Sequence, residues 1–168
     1  PTAVSMRALA ERIEYSPAGL YEYFASKEEI LAAVCEEGQR YLYEAMSQAD
    51  PTVPPADYLY QLGRAYIQFA LHQPDYFLLM FSTPVPAEVL TAETDSAYAL
   101  LVQAITWGVE QGVFPVRPHF GVAEMTYAAW TLVHGMAMLR VTNLRHSPAD
   151  LDTADEQALR NFLRGLMA

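Results

Sequence analysis

Apolar residues recur every three or four positions along almost the whole chain, and this periodicity is the strongest constraint on its fold. In the longest example, steps of 3, 4, 3, 4, 3 and 4 separate Phe120, Ala123, Tyr127, Trp130, His134, Ala137 and Val141. Such positions form one stripe along an α-helix. No segment alternates with a period of two for long enough to predict a β-strand. The sequence therefore predicts an all-α fold.

Composition narrows the class of protein further. Of the 168 residues, 52% are hydrophobic and 18% are charged, which excludes a disordered chain. The net charge of -10 argues at first sight against a polyanionic partner. The single Cys35 cannot form an internal disulfide, and we find neither a secretory signal nor a run of about 18 apolar residues that could span a membrane. We therefore expect a cytoplasmic protein with no membrane partner. Because the chain opens at Pro1 without an initiator Met, we expect that it begins inside a longer gene product.

Prolines divide the chain. Pro51, Pro54 and Pro55 mark the clearest boundary, which separates an N-terminal domain of residues 1–48 from a C-terminal domain of residues 49–168. One short helix is predicted after Ser5, and the others over residues 17–24, 27–48, 56–72, 74–82, 87–111, 118–144 and 153–168.

Pairs of side chains three or four residues apart are expected to stabilise two of these helices, those over residues 27–48 and 153–168. Ser26 with Glu29, and Thr153 with Glu156, fit capping boxes, in which a hydroxyl and a carboxylate three residues apart satisfy free backbone donors. A pair between Glu36 and Arg40 is expected to support the helix of residues 27–48.

Two short helices joined by a tight turn lie near the start of the chain. The second is led by Ser16 and Pro17, an N-cap followed by proline at the first helical position, and a capped third helix follows directly. Leu20 and Phe24 can face inward and leave small and polar groups for the outer surface. This order is typical of a helix-turn-helix, whose second helix reaches base edges in the DNA major groove.

The run from Ser5 to Leu31 resembles the DNA-binding domain of the tetracycline-repressor family of bacterial transcription regulators. Its most specific part is Leu20-Tyr21-x-Tyr23-Phe24-x-Ser26-Lys27-Glu28-x-Ile30-Leu31. That family has a further helix and a basic arm before this segment, and neither is in this sequence. The resemblance implies operator DNA as a partner, with the major groove near Ser16, Pro17, Ala18 and Gly19, and backbone contacts from Ser5 (or Met6), Tyr21, Tyr23 and Lys27.

Each of these residues also has an ordinary structural interpretation. Tyr21 and Tyr23 could pack at the edge of a three-helix core, and a lone Ser-Pro would be only a helix cap. Lys27 at the start of a helix is electrostatically unfavourable, which favours an external anion there. These residues occur together with the tight turn and the capping box, in the order typical of a helix-turn-helix, and this combination favours the DNA interpretation.

The last two predicted helices point to a homodimer. The helix that begins near Pro118 is apolar on two faces, so either the last helix or a second subunit must cover one of them. In the resembling family the last two helices dimerise. The expected interface consists of Leu132, Met136, Leu139, Leu159, Phe162, Leu163 and Leu166.

Aromatic and methionine side chains on the C-terminal helices are candidates for a ligand pocket. Trp130 and His134-Gly135 resemble a Trp-His-Gly motif in one group of C-terminal domains of the family. A single aromatic or methionine residue on such a helix more often packs in a solid core than lines a pocket. Likewise, a histidine such as His134 is more often a hydrogen-bonded core residue than a ligand contact. The prediction of a pocket therefore depends mainly on the family resemblance. The candidates are Tyr66, Phe69, Phe77, Met80, Trp107, Tyr127, Trp130, His134 and Met138.

An enzyme is not predicted. The four histidines lie far apart, no metal-ligand spacing occurs, and the sequence has neither a glycine-rich phosphate loop nor a nucleophile elbow. No cofactor is expected. Together with the family resemblance, the sequence leads us to expect a dimeric repressor that a small, largely apolar or aromatic effector releases from its operator. The alternative is a small-molecule-binding helical bundle with a vestigial helix-turn-helix.

Overall fold

The computed structural model describes residues 5–82 and 95–168, and within these two ranges it is built of α-helices with no β-strand. This confirms the all-α prediction. The helices are α1 (Met6–Arg12), α2 (Pro17–Tyr23), α3 (Lys27–Met46), α4 (Pro55–His72), α5 (Pro74–Met80), α6 (Ala97–Glu110), α7 (Val122–Val141) and α8 (Leu151–Met167). None of the described helices is long and apolar enough to cross a membrane.

Serine side chains cap the helices of the N-terminal part. The hydroxyl oxygens of Ser5, Ser16 and Ser26 accept hydrogen bonds from the backbone N–H three residues on, at 3.2, 2.9 and 3.1 Å. At α3 the predicted capping box forms in a shifted version, because the Glu29 carboxylate accepts from the N–H of Ala25 at 2.6 Å rather than from that of Ser26. These caps fix where the three helices of the predicted helix-turn-helix begin.

One predicted helix start was wrong, and one predicted helix is interrupted, because other residues act as caps. α8 begins at Leu151, since the Asp150 carboxylate accepts from the N–H of Thr153 at 3.0 Å and Thr153 is not itself the cap. The helix predicted over residues 87–111 begins, in its described part, at Ala97, with Ser96 as its cap. Residues 87–94 of that prediction lie outside the described residues.

Two further local predictions were wrong. α7 begins at Val122 and not near Pro118, because the chain first makes a tight turn in which His119 has a positive φ of 62°. Arg40 does not pair with Glu36. Its guanidinium instead bonds the Glu37 carboxylate at 2.6 Å and also that of Glu44.

The buried face of α7 differs from the predicted stripe. Met125, Ala129, Val133, Ala137 and Val141, each four residues apart, are buried, whereas Tyr127 of the stripe is 68% exposed. Since α7 is apolar on most sides, periodicity alone cannot select the face that meets the core.

The buried side chains form two separate clusters. The larger one joins α3 to α8 around α4, with Leu62, Phe77, Ile105 and Met125 fully buried. The smaller cluster joins α1 and α2 through Met6, Ala10 and Leu20, with Ile30 of α3 packed against it. The two ends of α3 therefore contribute to different clusters, because Leu42 and Met46 near its C-terminus belong to the larger one.

α3 passes very close to α5. A Cβ atom on Gly38 would lie 2.5 Å from the sulfur of Met80, so a larger residue at this position would have to displace the Met80 side chain. Three residues further along α3, Tyr41 makes an edge-to-face contact with Tyr76 of α5, with ring centroids 5.5 Å apart. The middle of α3 thus packs closely on α5.

The loop after α6 closes the far end of the larger cluster. Phe114 is fully buried, and its ring occupies the space beside Gly108, where a Cβ atom would lie 2.1 Å from the ring. Arg117 donates to the carbonyl of Gly165 at 2.7 Å and so caps the C-terminus of α8.

Gly108→Ala should therefore destabilise the protein. The added methyl group must displace the buried Phe114 ring, and overpacking of this kind costs about 1–3 kcal/mol of unfolding free energy. Urea unfolding monitored by circular dichroism measures it. The matched control is Gly165→Ala, where nothing lies within 4 Å of the new Cβ; its unfolding free energy should be unchanged or rise by up to about 1 kcal/mol, because alanine is the better helix former. Equal stability of the two variants would contradict this packing.

Glu14→Gly should stabilise the α1–α2 unit. Glu14 in the turn between the two helices has a φ of 56°, a left-handed conformation that costs a residue with a side chain about 1 kcal/mol. Glu11→Gly, within α1, is the control and should weaken the unit by about 1 kcal/mol. Native-state amide hydrogen exchange in α1 and α2 reports both effects. A loss of protection in Glu14→Gly would refute the strained turn.

Candidate functional site

The N-terminal turn of α2 lies on the surface. Ser16, Pro17 and Ala18 are exposed and Gly19 is half-buried, while Leu20 faces the small cluster shared with α1. The sequence produces this arrangement because proline fixes the first turn and the Ser16 hydroxyl caps it. The turn thus presents one hydroxyl, a methyl group and accessible backbone, groups that suit close approach to a DNA groove.

The four side chains predicted to contact the DNA backbone are distributed over α1, α2 and α3. Tyr21 is 55% exposed and Tyr23 is 67% exposed, so neither is a core-edge residue in this structure. Lys27 is the first residue of α3, and Ser5 is an exposed cap at the start of α1. Met6, the alternative to Ser5, is instead buried against Ala10 and Leu20.

Tyr15 is a candidate that the sequence reasoning missed. It is 46% exposed, and its ring covers Gly19, where a Cβ atom would come within 2.8 Å of the ring. The ring centroid of Tyr15 also lies 6.5 Å from that of Tyr23. The sequence position of Tyr15 could have identified it, because a bulky residue in the turn directly before Ser16 lies over the start of α2.

A cavity lies between α3, α4, α6, α7 and α8. Its volume is about 70 Å³, which is smaller than most small-molecule sites, so a drug-sized ligand would require its walls to move. Leu42 and Met46 of α3 form part of its wall, as do Leu101 of α6 and Phe162 of α8. Of the nine predicted pocket residues, Tyr66 and Trp130 line it.

The structure places the other predicted pocket residues outside the lining of this cavity. Phe69, Phe77 and Met80 are buried in the surrounding core, and Trp107 packs edge-to-face on Tyr58 with centroids 6.2 Å apart. Tyr127 is on the surface, and Met138 is half-buried. The sequence gives the helices but not their rotation about their own axes, and that rotation decides which side chains face the cavity.

His134 contacts the cavity wall indirectly. Its Nδ1 lies 2.9 Å from the hydroxyl of Tyr66, and its ring packs on Phe81 with centroids 4.6 Å apart. Burial raises the pKa of the Tyr66 hydroxyl and lowers the pKa of the His134 imidazole. Both shifts favour the neutral forms, so the pair is an uncharged hydrogen-bonding unit at neutral pH.

The predicted dimer residues divide into three groups. Leu159, Leu163 and Leu166 are buried within the chain itself, because α8 packs its apolar side on α4 and α7. Leu132 and Phe162 are half-buried and line the cavity. Met136 is half-buried and Leu139 is 49% exposed, so these two remain accessible on α7.

A metal site has no support in residues 5–82 and 95–168. These ranges contain no group of three or more histidine, cysteine, aspartate or glutamate side chains arranged to hold an ion. Cys35 is a free, half-buried thiol whose pKa is raised by burial, which disfavours the reactive thiolate.

Two family descriptions match the chain. The family described as "Tetracyclin repressor-like, C-terminal domain" matches residues 59–162, and "Bacterial regulatory proteins, tetR family" matches residues 1–34. No curated protein matches the chain significantly in sequence.

Solved structures share the fold over almost the whole chain. A protein of unknown function from Rhodococcus sp. RHA1 has a TM-score of 0.78 at 23% identity, covering 98% of this chain and 85% of that chain. The TetR-family regulator PfmR from Thermus thermophilus has a TM-score of 0.73 at 26% identity, covering 98% and 90%. The ketosteroid transcriptional regulator KstR2 of Mycobacterium tuberculosis has a TM-score of 0.67 at 19% identity, covering 98% and 85%. With the family match over more than half of its residues, this chain belongs to the tetracycline-repressor (TetR) family of bacterial transcription regulators.

Proposed function

We propose that this TetR-family protein is a homodimeric repressor that a small, largely apolar effector releases from its operator. One observation carries the proposal. α3 lines the cavity through Leu42 and Met46, and its first turn packs through Ile30 on the helices that would bind DNA. A ligand in the cavity would therefore touch the helix that positions the DNA-binding unit. The division at residue 48, just after the end of α3, belongs to the same proposal.

On the DNA side, the proposed contacts are mostly to the phosphate backbone. The hydroxyls of Tyr21 and Tyr23, the ammonium group of Lys27 and the exposed helix start at Ser5 are ordinary phosphate-binding groups. Tyr15 joins them as a neighbour of Tyr23. The start of α2 offers no Arg or Asn for bidentate base contacts, so DNA shape would contribute much of the specificity.

On the effector side, the cavity is the proposed site. Its wall is formed mainly by apolar and aromatic side chains, among them Leu62, Phe81, Leu101 and Val133. A pocket of this composition gains binding free energy by removing apolar ligand surface from water.

For the dimer, we propose α7 as the main contact. Leu139 is 49% exposed on this helix, and the half-buried Met136 lies about one turn before it on the same face. A two-fold axis along this face would bury the patch against its own copy. The same axis would set the two α2 helices about 34 Å apart, one turn of DNA. A regulator that acts on bacterial DNA would work in the cytoplasm.

The Lys27→Gln variant should bind DNA more weakly. Loss of one phosphate contact should weaken binding on all sequences and reduce the slope of log K against log salt by about 1. Gel shifts of the intact chain over its own upstream region, at several salt concentrations, measure both effects. Arg145→Gln removes one positive charge from the exposed turn after α7 and is the matched control. If the slope is unchanged in Lys27→Gln, or if it falls equally in the control, Lys27 does not contact DNA.

The same gel shifts separate the repressor from a ligand-binding bundle with a vestigial helix-turn-helix. A regulator should shift its upstream region at low salt and prefer it over random DNA. No shift at low salt would reject DNA binding by this chain.

A further inference from the structure

The cavity wall contains no charged side chain among the described residues. The polar groups that line it are all neutral: the side chains of Gln39, Tyr60, Tyr66, Ser96, Tyr98 and Trp130. Transfer of a carboxylate or an ammonium group from water into such surroundings is strongly unfavourable without a partner of opposite charge. A ligand enclosed by this wall must therefore present neutral groups to it.

One polar group of the wall, the Tyr66 hydroxyl, is held in place by a hydrogen-bonding partner. Tyr66 is buried, lines the cavity, and holds its hydroxyl 2.9 Å from the Nδ1 atom of His134. Phe77 and Phe81 pack on the His134 ring, with centroids 5.5 and 4.6 Å away, and fix its orientation. A hydrogen bond in such apolar surroundings constrains both groups more strongly than one exposed to water.

This pair can meet a ligand oxygen in either of two ways. If the imidazole proton is on Nδ1, His134 donates to the Tyr66 oxygen, and the Tyr66 O–H can donate to a carbonyl. If the proton is on Nε2, Tyr66 donates to His134, and its remaining lone pair can accept from a ligand hydroxyl. A neutral imidazole allows both states, so the unit accommodates a ketone or an alcohol with no change of charge.

We infer that the effector is an uncharged apolar molecule that carries a carbonyl or hydroxyl oxygen, and that this oxygen bonds to the Tyr66 hydroxyl held by His134. The inference rests on the proposed function and names the chemical class of its effector. Carboxylates, protonated amines and phosphate esters are excluded as groups in contact with the described part of this wall. Pure hydrocarbons bind less well, because they leave the Tyr66 hydroxyl without a ligand partner.

Competition with a neutral fluorescent probe tests this on the intact chain without DNA. N-phenyl-1-naphthylamine fluoresces strongly in apolar sites, and three competitors of similar shape are compared: naphthalene, 2-naphthol and 2-naphthoate. With the parent chain, 2-naphthol should displace the probe at a concentration about fivefold lower than naphthalene, as expected for one net hydrogen bond. 2-Naphthoate should be at least tenfold weaker than 2-naphthol.

The variant Tyr66→Phe locates the bond. It should abolish the preference for 2-naphthol and leave the affinity for naphthalene unchanged. Tyr58→Phe is the matched control, because Tyr58 is on the same helix but packs on Trp107 outside the cavity; it should keep the parent preference.

Several outcomes would overturn the inference. It fails if 2-naphthoate displaces the probe best, if none of the neutral molecules binds, or if Tyr66→Phe keeps the preference for 2-naphthol. Even if Tyr66→Phe does not fold, the order in which the three competitors displace the probe from the parent chain decides the chemical class of the effector. DNA binding is read separately by gel shift, so a chain that binds ligands as expected but not DNA refutes only the proposed function.

Discussion

The close approach of α3 to α5 at Gly38 is the constraint on which the arrangement of the molecule depends. Because no side chain separates the two helices there, the sulfur of Met80 lies against the α3 backbone, and Tyr41 and Tyr76 extend the contact. On its solvent side, α3 carries Arg40 between Glu37 and Glu44, pairs that add only a few tenths of a kcal/mol each. Packing, rather than charge, therefore fixes α3, which is the element shared by the two buried clusters.

This constraint connects the cavity with the proposed DNA surface. The cavity touches α3 at Leu42 and Met46, about one and two turns beyond Gly38, while Ile30 holds the first turn of α3 on α1 and α2. A ligand that pushes on Leu42 has two ways to be accommodated: α3 tilts about the Gly38 contact, or α5 moves with it. Since interiors are densely packed, small displacements of this kind are transmitted along a helix and are not absorbed locally.

The sequence predicted the helices and the N-terminal site better than the cavity. Serine caps at Ser5, Ser16 and Ser26 are local signals, so they located the first three helices and the exposed turn of α2. The start of α8 was missed because Asp150, as strong a cap as Thr153, stands three residues earlier. The cavity wall was largely missed because α7 is apolar on nearly all sides, and the sequence does not fix its rotation. Tyr127 was predicted to line a pocket and is exposed, whereas Leu132 and Phe162, predicted for the dimer, line the cavity.

We propose that ligand and DNA favour different positions of α3, and coupling of this kind must be reciprocal. The most direct test measures the Kd of N-phenyl-1-naphthylamine for the intact chain, alone and with a saturating amount of a duplex that the chain binds. We expect DNA to raise this Kd by roughly 5- to 150-fold, the usual range for allosteric coupling, and the ligand to weaken DNA binding by the same factor. Equal Kd values with and without DNA would contradict it.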